Sequence, residues 1–168
     1  KKRGFDFITF KDLANGVKAK KPIILTFDDG YEDNYLNLLP LLKKHKAKAV
    51  IYCLGDRSIQ SNIWDEKLGE PRANLMNDSQ INECHDSGLV EIASHGLKHQ
   101  HLPGLIDKEA REEFELSKSN LESLINDKVV SFAYPYGDYG EGEEIMAYEA
   151  GYDFAIGTVN GPLKLTDN

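Results

Sequence analysis

The chain has 168 residues, which is enough for one domain with a sizeable core and too few for two ordinary domains. Its 40% hydrophobic and 29% charged residues are typical of a globular protein and exclude a disordered or fibrous one. The formal net charge of -8 argues against nucleic acids and anionic membranes as partners, because both require clustered Lys and Arg, and no apolar stretch approaches the roughly 20 residues of a membrane span.

The first half of the chain alternates predicted strands and helices. Residues 22–27 are a continuous apolar run that begins with a proline, which predicts a strand buried on both faces. A helical pattern follows over residues 36–46, where Pro40 indicates a new helix start or a kink, and residues 49–55 form the second predicted strand. Residues 56–76 show no sustained period and are predicted to be a long surface loop, a kind of segment that is usually functional or mobile.

The second half continues this alternation. Asp78 is the predicted cap of a helix that stops at Gly88, and Asp107 is the predicted cap of the longest helix. Further strands are predicted over residues 90–94, 129–134 and 152–158, and a further helix over residues 143–150. Four glutamates are predicted to form the solvated face and amino-terminal charges of the longest helix, namely Glu109, Glu112, Glu113 and Glu115. Neither cysteine, Cys53 or Cys84, has C-x-x-C spacing, so both are predicted to be buried free thiols.

Successive strand-helix-strand units predict parallel strands with right-handed crossovers, and hence an open α/β sheet or a β/α barrel in one domain over residues 1–168. In both architectures the chemistry collects at the carboxyl ends of the strands. Three polar segments stand at such ends: Thr26-Phe27-Asp28-Asp29-Gly30, His95-Gly96-Leu97-Lys98-His99 and Tyr134-Pro135-Tyr136-Gly137. We therefore expect these three segments to lie together at one edge of the sheet.

Asp28 and Asp29 are adjacent carboxylates directly after the first predicted strand. Because adjacent residues of an extended chain point in different directions, one carboxylate can bind a metal while the other faces a substrate water. Two ionised carboxylates this close also normally require a nearby cation. The alternative is a turn that caps the next helix, because Asp-Asp-Gly is favourable turn chemistry. The apolar strand that leads into the pair favours the functional interpretation.

The i, i+4 spacing of His95 and His99 predicts two imidazoles on one side of a helical turn, which suits zinc or another late first-row divalent ion. One Asp and two His leave coordination positions open, as a catalytic metal requires, whereas a structural zinc site usually closes with a fourth Cys or His. The carboxylate that does not bind the metal would be the general base. His101 is the nearest spare imidazole and is predicted to be a loop residue or a residue that supports the metal ligands.

The third segment predicts a rigid turn. Pro135 restricts Tyr134 to an extended conformation, and Gly137 allows a tight approach of the backbone. A backbone N–H held in this turn could stabilise an oxyanion, although the motif also fits a purely structural turn. Four aromatic side chains could stack on sugar faces, with core or loop packing as the default interpretation of each: Tyr31, Tyr35, Trp64 and Tyr139.

Taken together, these segments resemble the polysaccharide deacetylase family, carbohydrate esterase family 4. The first motif of that family, Thr-Phe-Asp-Asp-Gly, is present unchanged at residues 26–30. The second, His-Ser/Thr-x-x-His, is matched at His95 and His99, and the third, Arg-x-Pro-Tyr-Gly, is matched at its last three residues. In this third motif the sequence Tyr-Pro-Tyr-Gly resembles that of certain branches of the family, which include exopolysaccharide deacetylases acting on β-1,6-linked N-acetylglucosamine.

The resemblance implies a distorted β/α barrel and a divalent metal ion, commonly Zn2+, with Co2+, Ni2+ or Fe2+ as alternatives. It assigns metal binding to Asp29, His95 and His99. It makes Asp28 the catalytic base and gives the backbone N–H of Tyr136 a part in holding the oxyanion. The predicted substrate contacts are Tyr31, Tyr134 and Pro135. The implied reaction is hydrolysis of an acetamide, in some members an acetate ester, on a carbohydrate outside the cell or in the cell envelope.

Three departures from the family pattern stand out. Gly96 replaces a Ser or Thr whose hydroxyl steadies the histidine segment. Ala133 replaces an Arg that pairs with the base, which would leave Asp28 with a higher pKa. The late motifs, which carry an apolar acetate pocket and a His general acid, have no counterpart before Asn168. The barrel is therefore predicted to be incomplete at its C-terminal end, and His101 is a poor substitute for the acid.

The sequence thus predicts a metal-dependent deacetylase of an N-acetylated saccharide, in particular a polymer that contains N-acetylglucosamine. An amidohydrolase of a small cyclic amide or ureide is an alternative within the family. A carbohydrate-binding relative without catalysis is a second alternative, against which the intact Asp28 weighs. No signal segment is visible, which by itself settles nothing about location, and the pattern makes no prediction of oligomeric state.

Overall fold

Seven strands and five helices make up the fold in the computed structural model, which describes residues 4–158. The strands are β1 (Asp6–Phe7), β2 (Pro22–Ile23), β3 (Thr26–Phe27), β4 (Ala49–Cys53), β5 (Val90–Ser94), β6 (Ser131–Ala133) and β7 (Phe154–Ile156). The helices are α1 (Phe10–Ala14), α2 (Leu39–His45), α3 (Asp78–Asp86), α4 (Asp107–Ile125) and α5 (Glu141–Glu149).

The main sheet has five parallel strands in the order β3-β4-β5-β6-β7, so neighbours in space are also neighbours in sequence. One helix connects each pair, from α2 between β3 and β4 to α5 between β6 and β7. Because the winding never reverses, the sheet curls in the manner of a β/α barrel rather than forming a doubly wound sheet. The predicted parallel α/β architecture is therefore confirmed.

Both faces of this sheet are buried. Alternate residues of β4 point to opposite sides, so Ile51 and Cys53 pack under α2, α3 and α4, whereas Val50 and Tyr52 point to the inner face. The inner face is filled by a small cluster that includes a residue of α1: Phe10, Val50, Tyr52, Ala93, Val130 and Ala133. Burial on both sides explains why the sequences of these strands are continuous apolar runs.

The start of the chain differs from the sequence-based expectation. Residues 22–27, predicted as one strand, are two strands in two sheets, because β2 pairs with β1 and β3 pairs with β4. The strand β1 and the helix α1 were not predicted at all, since elements of two and five residues are too short to show a period. Helix α1 nevertheless carries a local signal, a capping box in which Thr9 and Asp12 satisfy each other's backbone N–H groups.

The later elements follow the predictions closely, with small differences at their ends. The cap of α3 is Asn77, paired with Gln80 in a capping box, rather than Asp78. Asp107 lies in the first turn of α4 and supplies no cap. Pro40 lies in the first turn of α2, which continues directly from a wider helical turn over Asn34–Leu38 with helical backbone angles at Leu38 and Leu39. The proline therefore follows a change in helix type rather than the start of a separate helix. Cys53 and Cys84 are both buried and free, as expected.

The long segment 56–76 contains only one short helical turn, Glu66–Leu68, as its lack of period predicts. Two isolated antiparallel bridges, Ser61 to Asn74 and Tyr31 to Leu75, fix it against itself and against the residues that follow β3. The long loop is therefore held beside the carboxyl ends of the strands. The predicted incompleteness of the barrel concerns residues after 158, which lie outside the described residues.

Within residues 4–158, no helix has the length and apolar character to cross a membrane.

Two leucines of α4 give a matched test of this packing. Leu121 is completely buried between α4 and the sheet, whereas Leu116 is 44% exposed. We expect Leu121→Ala to lower the free energy of unfolding by about 2–5 kcal/mol, because it removes buried methyl groups and leaves a cavity. Leu116→Ala should change it by no more than about 0.5 kcal/mol. Urea unfolding followed by circular dichroism measures both, and equal effects would contradict the orientation of α4.

Candidate active site

The carboxyl ends of β3, β5 and β6 bring the three polar segments together, as the strand order predicts. The Oδ1 atom of Asp29 lies 3.3 Å from Nε2 of His95 and 3.2 Å from Nε2 of His99. Both imidazoles are buried, and the Asp29 side chain is 17% exposed. Among the described residues this is the only group of three or more His, Cys, Asp or Glu side chains whose potential ligand atoms converge, all within 4.8 Å of one another.

The three ligand atoms fit a divalent metal ion. Oδ1 of Asp29 is buried and has no hydrogen-bond partner among the described residues, although it faces two ring nitrogens. Such an orphaned oxygen is costly unless a cation or a donor satisfies it. Oxygen and nitrogen ligands at about 2.0–2.1 Å around a tetrahedral ion lie about 3.3 Å apart, which matches the two distances from Oδ1 of Asp29 to the ring nitrogens.

His95 is held in the orientation that a ligand needs. Its Nδ1 lies 2.8 Å from the carbonyl oxygen of Ala133, and its backbone N–H donates to the carbonyl of Cys53 at 2.9 Å. In the neutral form of the ring, which is the form that binds a metal, Nδ1–H donates to that carbonyl and the lone pair is on Nε2, the atom that faces Asp29. Strands β4 and β6 thus fix both the position of the ring and its tautomer.

His99 reaches the same point without the predicted helical turn. The segment from His95 to His99 is not helical, and it turns through two residues with left-handed backbone conformation, Gly96 at φ 80° and His99 at φ 58°. The ring of His99 stacks on Trp64 with centroids 4.3 Å apart and meets the edge of Tyr136 at 4.6 Å. The expected convergence of the two imidazoles is correct, but its cause is this irregular loop rather than i, i+4 spacing on a helix.

Glu113 is a residue whose sequence-based interpretation was wrong. It was predicted to lie on the solvated face of α4, but it is 3% exposed and accepts the N–H groups of Leu97 at 2.7 Å and Lys98 at 3.0 Å. Burial raises the pKa of its carboxyl, and those two N–H groups oppose the rise. A signal was available, because Glu113 stands three residues after Ala110 and four before Ser117, on the buried face.

The two aspartates have different environments. Burial alone would raise the pKa of Asp29, but the imidazoles of His95 and His99 outweigh it and hold that pKa well below its usual range. Asp28 is exposed at the surface of the site. The surrounding protein still removes enough water to raise the pKa of Asp28, with the charge of His95 opposing this rise and that of Asp29 adding to it. The pair therefore divides into a carboxylate buried among imidazoles and an accessible one.

The turn after β6 is more strained than its sequence suggests. Tyr136 has φ 61°, which is uncommon for a residue with a side chain and is a form of strain often found at functional sites. Its ring stacks on His101 with centroids 3.8 Å apart, and Nδ1 of His101 lies 3.4 Å from the carboxylate of Asp138. His101 is therefore at the rim of the site, exposed, as predicted for a loop residue.

Of the three residues predicted to contact substrate, two have buried side chains and one lies at the edge of the site. The side chain of Tyr134 is 4% exposed and packs on Tyr139 with ring centroids 4.3 Å apart, and Pro135 is buried. Tyr31 lies at the edge of the site, where burial and then the charges of Asp29 and Asp65 raise the pKa of its phenol. Their contact with substrate stays a prediction.

The long loop contributes residues that sequence reasoning did not assign to the site. Trp64 covers one face of His99, and the neighbouring Asp65 is close enough for its charge to act on Tyr31 and Tyr136. Packing was the default interpretation of Trp64, and it packs on His99, a candidate metal ligand. No periodic signal marks either residue, because their place depends on how the loop folds back over the strand ends.

The comparisons with known proteins agree with this geometry. A family profile described as Polysaccharide deacetylase matches residues 15–155. YxkH of Bacillus subtilis strain 168, provisionally named a polysaccharide deacetylase, is 29% identical in an alignment 163 positions long that covers 94% of this chain and 54% of YxkH. The poly-beta-1,6-N-acetyl-D-glucosamine N-deacetylase of Staphylococcus epidermidis is 25% identical in an alignment 140 positions long that covers 79% of this chain and 45% of that protein. This chain therefore spans about half the length of these curated relatives.

A solved structure shows the same fold. The Streptococcus pyogenes deacetylase PplD, determined in complex with acetate, superposes with a TM-score of 0.78 at 26% identity, over 95% of this chain and 68% of PplD. This likeness confirms the predicted barrel-like fold. The parallel sheet curls into a half-barrel, as it does in such deacetylases. Because the family profile covers most of the chain and the family's Asp, His and His converge in the structure, the chain belongs to the polysaccharide deacetylase family, carbohydrate esterase family 4.

Proposed function

We propose that this chain is a metal-dependent hydrolase that removes N-acetyl groups from a saccharide, in particular from a polymer containing N-acetylglucosamine. The observation that carries the proposal is the convergence of Asp29, His95 and His99 beside a second, accessible carboxylate, Asp28. The names of two similar proteins support the substrate class, one an N-deacetylase of poly-β-1,6-N-acetylglucosamine and the other a deacetylase bound to acetate. A polymer of this kind would place the reaction outside the cell or in the cell envelope.

Asp29, His95 and His99 would hold the metal, and Zn2+ is the ion proposed. Two imidazole nitrogens and one carboxylate oxygen suit Zn2+, with Co2+, Ni2+ and Fe2+ as further candidates. Three protein ligands leave a coordination position open, as in catalytic rather than structural sites. An ion bound there would polarise the acetyl carbonyl and lower the pKa of a bound water, so that a strong nucleophile is available near neutral pH.

Asp28 is the proposed general base. It is adjacent to a ligand but exposed, so its carboxylate can reach a water that attacks the acetyl carbonyl. Removal of water by the surrounding protein raises its pKa, which makes it a better proton acceptor than a free aspartate. Ala133 stands in the place of the family's Arg partner, so position 133 supplies no guanidinium to Asp28.

The turn at Tyr134–Gly137 is the proposed oxyanion-binding and substrate-binding element. Tyr136 would donate its backbone N–H to the carbonyl oxygen as negative charge develops there. The turn and Tyr31 would hold the sugar, with Tyr134 and Pro135 acting through their backbone because their side chains are buried. The hydrolysis consumes one water and releases acetate and a sugar amine.

Substitution of each aspartate separates the two proposed roles. We expect Asp28→Asn to lower acetate release from an N-acetylglucosamine oligomer by about 10²–10⁴-fold and to leave Zn2+ affinity nearly unchanged, because it removes the base but no ligand. Asp29→Asn should lose both Zn2+ binding and acetate release. Enzymatic detection of acetate and competition with a chromogenic chelator measure the two quantities. Loss of Zn2+ by the Asp28 variant would show that the two roles are exchanged.

Metal removal tests the proposal directly. Dialysis against a chelator should abolish acetate release, and stoichiometric Zn2+, or another ion of the series, should restore it because the three ligands remain in place. Circular dichroism before and after dialysis controls for unfolding. Activity that survives complete metal removal contradicts the mechanism. Since some members of the family are pseudoenzymes, saccharide binding without acetate release under any divalent ion would favour the non-catalytic alternative.

A further inference from the structure

Glu113 is a buried carboxylate for which the proposed mechanism has no use. It is 3% exposed, and no Lys or Arg forms an ion pair with it in the part of the chain that the structure describes. Burial of a carboxylate without a counter-charge is unfavourable unless hydrogen bonds replace the lost water. Those bonds come from Leu97 at 2.7 Å and Lys98 at 3.0 Å, and both end on the same oxygen, Oε2. Charge-assisted bonds of this kind are among the stronger ones in proteins.

The two donors lie midway between the proposed metal ligands. Leu97 and Lys98 are in the loop that connects His95 to His99, where no helix or strand provides acceptors for their N–H groups. The same loop contains two left-handed residues, Gly96 at φ 80° and His99 at φ 58°. A short loop with this backbone geometry needs external contacts to stay in one conformation. Glu113 provides two of them, from a long helix that packs against the sheet.

Gly96 is the residue that makes room for this carboxylate. A Cβ atom built on Gly96 would lie 2.8 Å from Oε2 of Glu113 and 3.4 Å from Cγ of Pro135. The first distance is too short for two non-bonded atoms. A Ser or Thr, the residue of the family pattern, could not stand at position 96 while Glu113 keeps this conformation. The departure at Gly96 and the buried Glu113 are therefore two parts of one arrangement.

A second contact joins the same helix to the other side of His95. Ser117, one turn after Glu113, places its hydroxyl 2.8 Å from that of Ser94, the residue directly before His95. The hydroxyl of Ser94 in turn accepts the N–H of Gly96 at 3.3 Å. Helix α4 thus contacts the chain both directly before His95, at Ser94, and after it, at Leu97 and Lys98.

We infer that Glu113 is a positioning residue of the metal site. It fixes the loop between His95 and His99 in the conformation that brings both imidazoles to Asp29. Gly96 is required because a side chain at that position would displace the Glu113 carboxylate. The inference rests on the proposed metal site. It assigns to a carboxylate from α4 the steadying role that a Ser or Thr hydroxyl has elsewhere in the family.

Zn2+ affinity of the folded protein tests this inference without reference to activity. We expect Glu113→Ala to weaken Zn2+ binding by about 10–100-fold, as is usual when a residue that supports metal ligands is lost. Glu113→Gln should restore most of that affinity, because its amide oxygen can accept both N–H groups. Glu115→Ala is the matched control, an exposed glutamate on the same helix, and should bind Zn2+ like the unsubstituted protein. Should the Ala variant not fold, Glu113→Asp withdraws the oxygen from both donors and should give a similar loss.

A double substitution tests the link to Gly96. Gly96→Ala alone introduces both backbone strain and the clash with Oε2, whereas in the Glu113→Ala protein only the strain remains. The loss of Zn2+ affinity caused by Gly96→Ala should therefore be several-fold smaller in the Glu113→Ala background. Equal losses in the two backgrounds overturn the link to Gly96.

The outcomes distinguish this inference from the proposed function. Unchanged Zn2+ affinity in Glu113→Ala and Glu113→Asp, with only a lower unfolding midpoint, would mean that Glu113 is merely structural and overturns the inference alone. Failure of the unsubstituted protein to bind Zn2+ overturns the metal site, and with it both proposals. Zn2+ binding that depends on Glu113, without acetate release, supports the inference and contradicts only the deacetylase activity.

Discussion

The buried oxygen of Asp29 facing two imidazole nitrogens is the interaction on which the rest of the site depends. Its Oδ1 atom has no hydrogen-bond partner among the described residues, and it is one of three potential ligand atoms that converge. An unpaired oxygen of this kind is costly, so the surrounding structure has to hold each member of the group in place. The strand ends, the loop over residues 56–76 and helix α4 all contribute to that support.

The support comes mainly from the backbone. The carbonyl of Ala133 orients His95, and the carbonyl of Cys53 accepts its backbone N–H. Position 133 has Ala in place of the Arg of the family pattern, but its carbonyl still orients His95, because a strand can supply that contact whatever its side chain. Nδ1 of His99 has no such partner among the described residues, and its ring instead stacks on Trp64 and meets Tyr136. The two candidate ligands are thus held by different means, one by main-chain hydrogen bonds and one by aromatic packing.

Much of the architecture could be predicted from the sequence, and the failures have physical causes. The strands β4 to β7 and the helices α2 to α5 are long or apolar enough to show a period, and their alternation implies a parallel sheet. The strand β1 and the helix α1 are too short to show one, and the break between β2 and β3 is invisible because both halves are equally apolar. Trp64 and Asp65 lie on an irregular loop whose course depends on contacts with residues far away in sequence.

The sequence by itself determined the chemistry of the site: which residues carry carboxylates and imidazoles, and that they follow the strands of a parallel sheet. This works because parallel strands bring their carboxyl ends to one edge whatever the details of packing. Only the tertiary structure decided how the candidate ligands are held. Glu113 resembles its exposed neighbours on α4 in type, and its burial under the histidine loop follows from the docking of that helix beside Gly96. Residue type is local, but the solvent exposure that gives a carboxylate its role depends on the whole fold.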